Sequence, residues 1–304
     1  MVLTVDTQVE GVHYRRHWLT PREIGRRAVA IAVSDLAAMA ARPVAILVSI
    51  VAREKTSEPG FKALHAGIRQ ASQQYGVTLL GGNLSTGHDS VTVTAIGEGK
   101  EADLITRRGA RAGDELWVTG TPGLARLGLH SLKKSSRPGA AKPRQRISAA
   151  VRKGTQAFKT PTARTREALV LASDWKPTAM IDLSDGLATD LAHILDESST
   201  RRRTLGAELE KAAFLKMKKL VRLASELGEC PLSTALQGGD DYELCFTAPS
   251  GPALRQLAAA FKKKLNLEVT RIGHIVNTPG IRTVDADGSR EKVKIEGWEH
   301  FQKK

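Results

Sequence analysis

The sequence predicts a mixed α/β (α+β) protein of two domains. Apolar runs of strand length interleave with amphipathic segments of helical length along the whole chain. Its 304 residues suit one large domain or two ordinary ones. The pattern gives way to turns around Arg107-Arg108-Gly109-Ala110, so a first domain is expected over residues 1–110 and a second over 111–304.

Leu3-Thr4-Val5-Asp6 alternates like a strand and continues in extended form through Val9 and Val12 towards His13. Pro21 to Val33 reads as a helix, with Thr20 its N-cap and Pro21 its first residue. Ser34-Asp35 follows, then Leu36 to Ala40. Val44 to Ala52 is the next strand and Phe61 to Tyr75 the next helix. Val77 to Leu80 runs into Gly81-Gly82-Asn83, where glycines let a backbone approach a ligand closely. Val91 to Ile96 is another strand.

Beyond the boundary, Glu115 to Thr119 is a strand and Gly120-Thr121-Pro122-Gly123 a loop opening a helix. A helical excursion with a loop at Ser135 to Pro143 and a helix from Thr162 to Ala172 are expected next. Ala179-Met180-Ile181 then delivers Asp182 and Asp185 to a turn where an amphipathic segment, Leu187 to Leu195, begins. A turn is expected at Arg201 to Thr204 and one helix from Lys211 to Leu227. Gly238-Gly239-Asp240-Asp241 precedes a strand from Tyr242 to Thr247. A helix from Pro252 to Leu265 and strands near Val269 to Ile272, Ile281 to Val284 and Val293 to Ile295 finish the chain. Ser34-Asp35 followed by Gly81-Gly82 echoes Ser184-Asp185 followed by Gly238-Gly239, a hint that both halves face one ligand.

Apolar residues make up 41% and aromatics 4%, so aliphatic side chains must fill the core. Cys230 and Cys245 show neither a disulfide framework nor zinc-ligand spacing, which points to a reducing, cytoplasmic setting. The longest apolar run, Val44 to Ala52, is too short to span a membrane. The net charge is +14, and residues 130–160 hold nine lysines and arginines, from Lys133 to Lys159, without an acidic residue. No nucleic-acid motif or interleaved aromatic accompanies them, so a solvated basic face is favoured over an RNA surface.

Asp6, Asp35, Asp182, Asp185 and Asp240 are read as lying at element ends. Each alone reads as a cap or turn residue rather than a ligand. Together, without clustered histidine or cysteine, they suit Mg²⁺ and so phosphoryl transfer from a nucleotide. The chain has no GxxxxGK[ST] loop and no GxGxxG after a strand.

The ordered motifs resemble the thiamine-monophosphate kinase family, in the superfamily of aminoimidazole ribonucleotide synthetase and selenophosphate synthetase. The matching segments run from Thr4-Val5-Asp6-Thr7 and Glu10-Gly11-Val12-His13, through Ser34-Asp35-Leu36-Ala37-Ala38-Met39 and Gly81-Gly82-Asn83, to Thr106-Arg107 and Val118 to Gly123. They continue with Pro161 to Arg164, Asp182 to Leu187, Gly238 to Leu244 and Gly297 to Phe301. The resemblance implies a two-domain synthetase-like fold whose N-terminal sheet pairs with a partner's into a barrel-like homodimer core. ATP and thiamine monophosphate would meet between the domains with several Mg²⁺ ions, and the product would be thiamine diphosphate. Thr4, the main chain of Val5, Asp6, Asp35, Asp182 and Asp185 would be metal ligands. Gly82, Arg107 and Ser184 would contact ATP. His13, Asp240 and Trp298 would hold the thiamine phosphate.

Three departures accompany the resemblance. The family carries a Gly-Asp-Asp segment ahead of the first residue here, so a missing natural start or a weakened variant is expected. Asn83 stands where the family has aspartate; its amide oxygen can serve both metal and nucleotide, less strongly than a carboxylate. Val5 replaces a hydroxyl residue, which is harmless if only its main chain coordinates metal. A non-catalytic homologue that binds nucleotide or a partner is the alternative reading, and a sister enzyme of the superfamily a further one.

Overall fold

A computed structural model describes residues 1–136 and 148–295. Trp298 and four of the basic residues, Arg137, Lys142, Arg144 and Arg146, lie outside them. The chain divides into two compact units, Met1–Leu104 with Lys159–Leu169 and Ile105–Phe158 with Val170–Lys304.

The first unit is built on β1 (Val2–Val9), α1 (Pro21–Ala38), β2 (Arg42–Ala52), α2 (Glu58–Tyr75), β3 (Thr78–Thr86) and β4 (Ser90–Glu98). Its sheet has the order β1-β4-β2-β3, with β2 and β3 parallel and the other pairs antiparallel. Thr20 and Glu23 form a reciprocal capping box that starts α1. The apolar pattern of α1 continues past Val33, so Ser34 and Asp35 lie inside the helix instead of ending it. Asp6 likewise sits within β1, not at its end. The two helices touch backbone to backbone: a Cβ on Gly25 would lie 2.2 Å from the Leu64 carbonyl oxygen, and one on Gly67 2.0 Å from that of Arg22.

Strand alternation gives this sheet two unlike faces. Val2, Ala95, Val93, Val48 and Ile50 are buried on one. The other presents Leu3, Val5 and Leu47, all exposed, and Val5, Thr94 and Leu47 are register partners across three strands.

The second unit holds β5 (Glu115–Thr119), α3 (Leu124–Ser135), α4 (Ala149–Lys159), β6 (Ala179–Asp182), α5 (Leu187–Ser198) and β7 (Gly206–Glu210). Then come α6 (Lys211–Leu215), α7 (Lys218–Leu227), α8 (Pro231–Gln237), β8 (Leu244–Ala248), α9 (Pro252–Leu265), β9 (Val269–Val276), β10 (Gly280–Val284) and β11 (Arg290–Lys292). Seven strands form one sheet in the order β11-β10-β7-β9-β5-β8-β6. A largely aliphatic core of Leu187, Leu191, Ile194, Leu220 and Leu223, joined by Phe214, packs with Val118, Ile181 and Ile272 of the strands. Trp117, Trp175, Phe246 and Phe261 add a run of edge-to-face ring contacts.

The echo between the halves is not structural. Ser34-Asp35 is helical and Gly81-Gly82 lies in β3, whereas Ser184-Asp185 and Gly238-Gly239 form turns. The helix expected over Lys211 to Leu227 is two helices, because Met217 leaves helical geometry between them.

Asp89 ties together the loops of the first unit. It is 3% exposed. It accepts from the Arg16 Nε at 2.6 Å and the Arg53 amide at 3.0 Å, with the Arg53 Nε at 2.8 Å. Burial pushes against ionisation, yet the Arg16 hydrogen bond, the Arg53 amide and both guanidinium charges hold the carboxyl below its usual range. A depressed carboxyl stabilises the fold above its unfolded value, near pH ~4, and that stability is lost as pH falls through the folded value. Asp89→Asn should therefore cost about 2 kcal/mol at neutral pH and show a flatter acid limb, measured by urea unfolding between pH ~2 and ~7. Equal acid slopes for the two proteins would refute this assignment.

Candidate active site

In the first unit, the Thr4 hydroxyl donates to the Asp35 carboxylate, joining β1 to α1. Asp6 follows two residues later on the same face of β1. Register carries that row through Val93 and Val48 to Gly82, where a Cβ would lie 1.7 Å from the Val48 carbonyl oxygen. Asn83 falls in the alternate row with Ser49, Thr92 and Thr7, and Val5 is exposed on that opposite face. The fold thus joins Thr4 to Asp35 and aligns Asp6 with Gly82, but does not place Asn83 beside them. His13 is half-buried, and its Nδ1 accepts from the Val9 amide at 3.0 Å. The proton of the neutral ring is therefore on Nε2.

In the second unit, β6 ends at the buried Asp182. The turn after it is fastened to Gly238–Glu243 by three main-chain bonds. The Leu183 amide donates to the Glu243 oxygen, the Asp240 amide to the Ser184 oxygen and the Tyr242 amide to the Leu183 oxygen, each at 2.8 Å. Gly239 lets the two turns close, since a Cβ there would lie 2.5 Å from the Ser184 oxygen. Asp240 and Tyr242 pay for the fit with left-handed backbones, φ 68° and 52°. The Tyr242 hydroxyl donates back to Asp240 Oδ1 at 3.2 Å.

Three residues that sequence reasoning left out hold this arrangement, and a fourth, Ser198, holds the loop of Arg107. Asp190, 2% exposed, accepts from the Asp185 and Gly186 amides at 3.1 Å each. Burial, then the charges of Asp182 and Asp185, raise its pKa well above the carboxylate range. The Asp241 carboxylate accepts from the Gly123 and Ala125 amides at the start of α3, and burial pushes its pKa up to about 8. Glu243 accepts from the Thr119 hydroxyl at 2.6 Å. Ser198 accepts from the Gly109 and Ala110 amides at 3.0 and 3.1 Å and donates to the Arg107 carbonyl, holding the loop that exposes Arg107. An acidic residue in the first turn of a helix was the available signal for Asp190, whereas Ser198 carries none.

Comparison with known proteins places this geometry. Residues 1–99 match the family model "AIR synthase related protein, N-terminal domain". The thiamine-monophosphate kinase of Bacillus subtilis is 30% identical over 99% of this chain and 88% of its own. The chain belongs to the thiamine-monophosphate kinase family. The Aquifex aeolicus member is 31% identical over 99% of this chain and 88% of its own. Two solved thiamine-monophosphate kinases superpose with a TM-score of 0.81. That from Stenotrophomonas maltophilia is 31% identical and covers 94% of this chain and 85% of its own. The other, AaThiL complexed with AMPPCP and TMP, is 28% identical and covers 98% and 86%.

The close approach of the two turns makes Gly239 sensitive to any added side chain. Gly239→Ala should lower stability by about 2–3 kcal/mol through overpacking against a main-chain oxygen. Chemical denaturation would check this; an unchanged midpoint would refute the close approach.

Proposed function

We propose that the chain transfers the γ-phosphoryl group of ATP to the phosphate of thiamine monophosphate, giving thiamine diphosphate in the last step of that cofactor's synthesis. The supporting observation is its likeness, over 98% of its length, to AaThiL complexed with AMPPCP and TMP.

The acidic residues fit Mg²⁺. Among the described residues no group of three or more His, Cys, Asp or Glu is arranged to hold a metal by itself. Mg²⁺ at a phosphate site needs only one or two carboxylates, with phosphate oxygens and water completing its shell. Asp182 and Asp185 lie close enough to Asp190 to raise its pKa, an excess of negative charge that suits a divalent cation. We assign Thr4, the Val5 main chain, Asp6 and Asp35 as ligands in the first unit, and Asp182 and Asp185 in the second. Bound there, Mg²⁺ would neutralise charge on the β- and γ-phosphates. Gly82, Ser184 and Arg107 would contact ATP, the guanidinium by charge-assisted hydrogen bonds. His13 would donate from Nε2 to the substrate phosphate, and Asp240, oriented by Tyr242, would accept from the organic part. Trp298 is assigned to the same substrate on the motif alone.

Asn83 supports a second reading, a catalytically impaired homologue, because a neutral amide replaces a carboxylate. One assay separates the two. With ATP, thiamine monophosphate and saturating Mg²⁺, thiamine diphosphate should form, Asp182→Asn should cut kcat by about 10²-fold or more, and Asn83→Asp should raise it. A folded wild type that binds ATP without turnover, unrescued by Asn83→Asp, would establish the impaired homologue.

We further infer a homodimer formed through the open sheet face, since Leu3, Val5 and Leu47 are 60%, 63% and 41% exposed. Leu47→Glu should give a monomeric mass in light scattering where the wild type gives a dimer. A wild-type monomer would end this proposal. A reducing cytoplasm is proposed as the setting, consistent with two free cysteines and with no described helix long and apolar enough to cross a membrane.

A further inference from the structure

A cavity of about 350 Å³ lies in the second unit between α3 and α8, within the size range of small-ligand sites. Its chemistry is one-sided. Arg126, His130, Lys133 and Lys134 recur at helical spacing, so a single face of α3 supplies all four to the wall. Glu229 is the one carboxylate among the described lining residues, and it pairs with His130 Nδ1 at 2.5 Å. Arg126 and Lys134 make no hydrogen bond or ion pair among the described residues. Like charges at this spacing repel, so an anion between them relieves a cost that the free protein bears. Across the cavity, α8 contributes the Ser233 hydroxyl and the Gln237 amide, which already donates to the Lys294 carbonyl at 2.6 Å, while Leu129 supplies apolar wall.

We propose that this cavity binds a small organic phosphate ester, its phosphate among Arg126, Lys133 and Lys134 and its organic part against Leu129. Guanidinium and ammonium groups recognise phosphate by charge-assisted bonds, and a mixed apolar and hydroxyl wall suits a compact organic group. The site is separate from the acidic turns assigned to ATP and Mg²⁺, although its wall includes Gly238, beside the turn that carries Asp240 and Asp241. Asp241 also grips the first turn of α3. A ligand joining α3 to α8 would therefore hold both helices that flank that turn. The proposal stands or falls independently of the activity proposed above.

The test titrates phenyl phosphate into the ¹⁵N-labelled full chain, with EDTA present so that metal-dependent phosphate binding at the aspartates is silent. Amide shifts are expected at Ser233, Thr234 and along α3. Arg126→Ala/Lys134→Ala should weaken binding about tenfold or more, and Arg126→Lys/Lys134→Arg should restore most of it. All four substitutions are at exposed positions, and the unperturbed amide spectrum of each variant checks its fold. Arg107→Ala should leave the titration unchanged. The proposal is overturned by an absence of shifts at about 1 mM phenyl phosphate, by a titration insensitive to the Arg126/Lys134 change, or by shifts confined to residues 182–186 and lost in Arg107→Ala. Binding of a single-stranded RNA through Arg126 and Lys134, with phenyl phosphate inert, would overturn it in favour of a nucleic-acid face.

Discussion

The fastening of one acidic turn to another is the constraint on which the second unit depends. The bonds from Leu183, Asp240 and Tyr242 each contribute about 1 kcal/mol net, and two left-handed residues cost about 1–2 kcal/mol apiece. The balance is close, so the seal needs the side-chain anchors behind it. Asp241 supplies one by capping α3, and Glu243 another through Thr119 at the end of β5. Three separate turns, at 119–125, 182–186 and 238–243, become one piece. Rigidity of this kind suits phosphoryl transfer, where the protein's work is positioning and charge compensation.

Buried carboxylates show two opposite outcomes in this chain. Asp89 is held ionised because two arginines and an amide compensate it, despite burial. Asp190 is driven towards its neutral form because burial and two neighbouring aspartates act together against charge. One environment stabilises a fold and asks for nothing further. The other leaves a buried carboxyl between two further aspartates with only two amide donors of its own, so the neutral form is its favoured state.

Much of the architecture was legible because strong periodicity survives tertiary context. The strands at Val44 to Ala52, Val91 to Ile96 and Glu115 to Thr119 appear with bounds shifted by at most two residues. The helix over Pro252 to Leu265 appears as read. Short elements were not legible: β7, five residues ending in Glu-Leu-Glu, and α8, seven residues behind Pro231, offer little pattern of their own. Asp35 was misplaced because a polar pair inside an apolar helix looks like an end. The motifs located Asp182, Asp185 and Asp240, and the first-turn position of Asp190 was a local signal, whereas the Thr119–Glu243 and Arg107–Ser198 contacts join residues 124 and 91 positions apart and leave no local trace.

The segment Lys159–Leu169 belongs to the first unit although more than fifty residues of the second precede it. Within that unit the Ala163 amide donates to the Tyr75 hydroxyl at 3.0 Å, and Lys159 reaches Glu23 at 3.5 Å. The units are therefore not consecutive blocks of sequence. During synthesis the first cannot be whole until residue 169 has left the ribosome, by which time β5, α3 and α4 of the second have emerged. A gene cut at residue 104 would encode a first unit without its last piece.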